Sequence, residues 1–137
     1  MDLLIKSLES SDGEEHGLAL TVATNLCAGE LNGARFFEDG RLFKHVLQLI
    51  SRTENPNRIP SEQQLRDISM LCLSNFSVNP SNTTRMVEKG ALSHILKSFQ
   101  TAPAGMERHH AVKALSYISQ DGTILSLYRC HISLYFI

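Results

Sequence analysis

Along most of this chain apolar residues recur every three or four positions, the spacing of a buried stripe on an α-helix. In "ALSHILKSFQ", Leu92, Ile95, Leu96 and Phe99 fall on one face. In "MERHHAVKALSYISQ", Ala111, Ala114, Leu115 and Ile118 do the same. "SNTTRMVEKG" predicts a shorter helix, with Ser81 or Asn82 as its N-cap and Met86 and Val87 turned inward. It stops at Gly90, because glycine takes the left-handed conformation that ends a helix at little cost. Sustained alternation between hairpin turns is missing, so strands are few. The tail "TILSLYRCHISLYFI" is strand-like on propensity alone and has no place in this pattern.

The same order of segments is written twice. Residues 22–50 align with 72–100 at a constant offset of 50, without gaps. Asn25 falls on Asn75, Asn32 on Asn82, Arg35 on Arg85, Glu38 on Glu88, Gly40 on Gly90 and Leu42 on Leu92. A third, partial copy follows, since "CLSNFS" at 72–77 matches "ALSYIS" at 114–119 at an offset of 42. The surplus residues of the longer offset belong in "SRTENPNRIPSE", 51–62, which is polar, contains Pro56 and Pro60, and reads as an exposed loop. Each unit thus has a short, a medium and a long helix. The long helix of the first unit starts at Ser61, with Gln64 at capping-box spacing.

Composition narrows the class of protein. At 137 residues with 42% apolar content, the chain is one ordinary domain with a core. Its 13 basic and 14 acidic residues give a net charge of −1, and no Lys/Arg run argues for nucleic acid or an anionic membrane. Cys27, Cys72 and Cys130 are odd in number and show no CxxC spacing; the expectation is buried free thiols in a reducing compartment. "MDLLIKSLES" lacks the layout of a signal peptide, and no apolar run reaches transmembrane length. The expected location is cytoplasmic, with the nucleus and cilium also open, and no membrane insertion is expected.

The period, the short–medium–long order, and the elements "N..R..V.EKGAL..IL" and "LSNFS" resemble the armadillo repeat over residues 14–120. Gly90-Ala91-Leu92 and Leu73-Ser74-Asn75 are the most family-like pieces. The resemblance implies an all-α fold, a right-handed superhelical solenoid of about two and a half three-helix repeats. Stacking such units buries faces that no unit can bury alone. On this reading residues 1–28 are the end of one unit, 29–78 a full unit with the loop near 51–62, 79–120 a second unit, and 121–137 an apolar tail or incomplete repeat. The uncapped ends imply a fragment or truncated form and favour self-association.

In armadillo proteins the third helices line a concave groove, and an Asn near the end of each often binds the backbone of an extended peptide. The matching positions here are Asn25, Asn75 and Tyr117. The nuclear-import adaptors carry a Trp one turn earlier; here those positions are Thr21, Leu71 and Lys113, and the chain has no Trp. The resemblance therefore implies a general peptide groove rather than one for nuclear localisation signals. Its expected partner-binding residues are Thr21, Asn25, Leu71, Asn75, Lys113 and Tyr117, flanked by Asp67 and His109. An amide can donate to and accept from a peptide at once, but the two asparagines can equally bond within or between neighbouring helices.

No chemistry competes with that reading. GxSxG, P-loop, GxGxxG and HExxH patterns are missing, so no catalytic residue, cofactor or metal ligand is expected. His109 and His110 are adjacent, which points them about 100° apart on a helix and away from one shared metal. "ESSDGEEH", 9–16, reads as a solvated loop and helix start, with Glu14 and Glu15 favourable at the N-terminus. The Asn82-Thr83-Thr84 sequon reads as chance. The expected function is noncatalytic: an adaptor or scaffold that holds a protein or extended peptide. The alternative is an allosteric regulatory domain that binds a small molecule or controls an attached enzyme.

Overall fold

The computed structural model describes residues 1–122, and these contain helices and no strand. The strand-like tail and Cys130 lie outside the described residues. A first pair of helices, α1 (Asp2–Leu8) and α2 (Gly13–Leu26), is followed by α3 (Glu30–Asp39), α4 (Arg41–Arg52) and α5 (Pro60–Ser77). Then come α6 (Pro80–Glu88), α7 (Ala91–Thr101) and α8 (Met106–Ile118). The short–medium–long order is visible twice, at 10, 12 and 18 residues and at 9, 11 and 13.

Local chemistry sets the boundaries. Asp12 caps α2, its Oδ1 accepting from the Glu14 and Glu15 backbone N–H groups at 2.9 and 3.2 Å. Gly40 and Gly90 sit between the short and medium helices at φ 82° and 88°, the left-handed turn expected of Gly90. Two other boundaries differ from expectation. The cap of α6 is Asn79, whose Oδ1 accepts from Ser81 N at 3.1 Å, rather than Ser81 or Asn82. Pro80 occupies the first turn, where a missing N–H costs nothing. Likewise α5 starts at Pro60, and Glu62 Oε1 accepts from Ile59 N at 3.2 Å, so Ser61 and Gln64 form no capping box. The helices extend into the expected loop from both sides and leave 53–59 to connect them.

The medium and long helices pair, α4 with α5 and α7 with α8, and the seven-residue α1 pairs with α2, while α5 also packs against both α2 and α8. The core runs through these contacts. Phe37 of α3, Phe43 of α4 and Phe76 of α5 meet edge to face with centroids 5.2, 5.4 and 6.1 Å apart. Each such pair adds about 0.5–1.5 kcal/mol beyond its area burial. In α7, Ala91, Ile95 and Ser98 are the buried residues; Leu92, Leu96 and Phe99 are half-buried against the core. Cys27 and Cys72 are buried free thiols, and burial beside Cys27 pushes the Cys72 thiol well up. Gly33 is needed where α3 crosses the end of α2, since a Cβ there would stand 2.8 Å from the Cys27 carbonyl oxygen.

Candidate interaction surface

The eight residues expected to bind a partner lie on α2, α5 and α8, three long helices of which the middle one touches both others. On α2, Thr21 and Asn25 are exposed and one turn apart. The Thr21 hydroxyl donates to Gly17 O at 2.9 Å, while the Asn25 amide makes no hydrogen bond among the described residues. On α5, Asp67, Leu71 and Asn75 are half-buried at four-residue spacing. On α8, His109 and Lys113 are exposed and Tyr117 is half-buried, again four apart.

The two asparagines part company here. Asn75 Nδ2 donates to Thr24 O at 2.9 Å, which ties α5 to the last turns of α2. Asp67 accepts from Gln63 Nε2 at 3.0 Å and faces α8, where its charge opposes the lowering of the His110 pKa by burial, His109 and Lys113. No hydrogen bond or ion pair joins Lys113 or Tyr117 to the α5 members among the described residues. The His109 ring meets the neighbouring His110 ring edge to face, with centroids 5.3 Å apart.

The strongest polar chemistry lies beside this surface, not on it. Arg66 and Glu107 are 3% and 2% exposed, and the whole guanidinium is satisfied. Arg66 Nε and Nη2 donate to Glu107 Oε1 and Oε2 at 3.1 and 3.2 Å. Its remaining N–H groups reach Ile50 O at 2.6 Å, Thr53 Oγ1 at 3.1 Å and Ser98 Oγ at 3.3 Å. Arg58, from the 53–59 connection, and Gln63 also donate to Glu107 Oε1, at 2.7 and 3.0 Å. Burial pushes the Glu107 carboxyl up, but the hydrogen bonds from Arg66, Gln63 and Ser98 outweigh it and hold the group at about 2.

A second polar contact joins His16 of α2 to His45 of α4, Nε2 to Nε2 at 2.9 Å. The ring centroids are 5.1 Å apart, so the two nitrogens meet nearly head on. That is the geometry of one N–H shared between two rings, not of two lone pairs converging on a metal. Burial lowers both pKa values; Arg52 adds to the effect on His16, and His16 and Arg52 add to it on His45, with Glu9 opposing. Among the described residues no group of three or more His, Cys, Asp or Glu side chains could hold a metal ion.

Neither polar contact was predicted from the sequence, although the repeat carried a signal. At the two offsets His16, Arg66 and Arg108 are equivalent, a polar residue recurring within an otherwise apolar helix pattern. The Asn82 sequon is closed by the fold, because Asn82 is buried and its Nδ2 donates to Phe76 O at 3.1 Å. An open cavity of about 780 Å³ lies elsewhere, over Phe43 and Leu47 with Lys44, Arg52 and Lys89 at its edge. The chain matches no protein-family profile and no curated protein. Among the described residues no helix is long and apolar enough to cross a membrane.

Proposed function

We propose that this chain is a noncatalytic protein-interaction module, an adaptor or scaffold built as a short armadillo-like solenoid. A partner segment lies across α2, α5 and α8 on this reading. The observation that carries it is the placement of Asn25, Leu71, Lys113 and Tyr117, solvent-reachable at repeat-related positions on long helices of which α5 packs against both others. Asn25, whose amide is unspent, supplies the peptide-backbone contact. Asn75 contributes mainly by holding α5 to α2. Leu71 and Tyr117 supply apolar area, and Lys113 favours a partner with an acidic residue at that point. The test is an affinity pull-down followed by quantitative mass spectrometry, comparing the chain with Asn25→Ala/Tyr117→Ala after circular dichroism shows both folded. The expected result is a peptide-bearing partner held by the first and depleted at least tenfold on the second. Equal recovery on both would remove this surface as the binding site.

A further inference from the structure

The two ends of this helical stack expose matching halves of a contact that the molecule already makes in its middle. In that contact Arg85 of α6 reaches back to Glu38 of α3, Nη1 to Oε2 at 2.7 Å. At the 50-residue offset Arg85 is the counterpart of Arg35, and Glu38 is the counterpart of Glu88. Arg35 and Glu88 are both exposed and make no ion pair among the described residues. One therefore repeats the cation of the internal pair at one end, and the other repeats its anion at the far end.

The apolar surfaces follow the same rule. On α2, Leu18, Val22 and Leu26 form a stripe at four-residue spacing that is 61%, 49% and 41% exposed. Their counterparts on α5 are Ile68, half-buried, and Cys72 and Phe76, fully buried. Cys72 meets Thr24 of α2 and Cys27 just past its end. The stripe on α2 thus has the character of a covered face without its cover. On α8, Val112, Ser116 and Ser119 are exposed, whereas their counterparts Met70, Ser74 and Ser77 on α5 are buried.

We propose that a second copy of this chain covers the α2 stripe, its α6–α8 end docking on the α1–α3 end of the first. In this contact Glu88 of one copy pairs with Arg35 of the next, and Val112, Ser116 and Ser119 pack on Leu18, Val22 and Leu26. The joint is heterologous, so it leaves an unused end on each copy and extends into open chains. It rests on the equivalence of the repeated positions and is independent of the peptide-binding reading above.

Sedimentation velocity of the whole chain across a concentration series tests this. The expected result is a weight-average mass that climbs with concentration past the dimer without a plateau. Arg35→Glu alone and Glu88→Arg alone each place like charges at the joint and weaken association about tenfold. An equimolar mixture of these two variants restores opposite charges at both kinds of joint and recovers association. So does the double variant Arg35→Glu/Glu88→Arg. Val22→Asp weakens it in every background. Circular dichroism of each exposed-site variant keeps misfolding apart from loss of contact. A monomer at all concentrations, a closed dimer, or association blind to the two charge reversals would overturn the proposal.

Discussion

Arg66 grips both carboxylate oxygens of Glu107, Nε on Oε1 and Nη2 on Oε2, with the pair shut away from solvent between α5 and α8. A buried ion pair is costly to break, because removing one partner strands the other. Glu107→Leu should therefore lower the unfolding free energy by about 3–5 kcal/mol. Arg66→Leu/Glu107→Leu should lose less than the single Glu107 variant, since the fully buried guanidinium goes with its partner and only Arg58, nearer the surface, is left without the carboxylate. Urea unfolding of the three chains measures both differences.

Acid should act on this protein in two steps. His16 and His45 have pKa values below the ordinary 6.5, so the unfolded chain takes up protons first. Their contribution is complete above pH 6.5 and is lost as pH falls below it. Two protonated rings would point N–H at N–H, which removes the shared hydrogen bond. The melting temperature should drop from pH 7.5 to pH 5.5, with a shallower slope in His16→Leu/His45→Leu. His110, also lowered by burial, supplies part of the slope that remains. Glu107 acts later: its folded value of about 2 lies below the ordinary 4.5, so its contribution is present above 4.5 and lost as pH falls toward 2.

The two repeated asparagines should separate in stability. Asn75→Ala removes the bond to Thr24 O and should cost about 0.5–1.5 kcal/mol. Asn25→Ala touches an exposed side chain and should stay within about 0.5 kcal/mol of the parent chain. Thermal melts of the two variants check this, and equal losses would contradict the different placements of the two amides.

Glycine positions give a graded set. At Gly90 nothing stands within 4 Å of an added Cβ, so Gly90→Ala isolates the backbone cost of φ 88°, about 1–2 kcal/mol. Gly90→Val should cost more, since a branched side chain resists that conformation further. Gly17 lies inside α2 with open space around it, and Gly17→Ala should stabilise by about 0.5–1 kcal/mol. Differential scanning calorimetry of these variants orders the three effects.

The helices were legible because two independent patterns agreed on them. Apolar spacing gave the faces, and the repeat placed Gly40 and Gly90 at the same joint in each unit. Helix starts were harder to place. Ser81 and Asn82 have the right chemistry for a cap, but Pro80 fits the first turn and hands the role to Asn79. The polar knots were the least visible. An Arg or Glu in an amphipathic pattern reads as solvent-facing, and only the distance between Arg66 and Glu107 in space reveals a shared buried site. The candidate surface was legible only as a set of equivalent positions; spacing alone did not distinguish Asn75, which bonds to a neighbouring helix, from Asn25, which does not.

The Arg66 network draws on α4, α5, α7 and α8, so it crosses the boundary between the two three-helix units. Cutting the chain near Val78 would leave Arg66 with only the Ile50 and Thr53 oxygens, and Glu107 without any of its cations. The halves are thus obligate neighbours rather than interchangeable beads. Sequence similarity makes the units look alike, but the buried charge makes their order matter: neither can be moved, duplicated or expressed alone without exposing a guanidinium or a carboxylate shaped for the other.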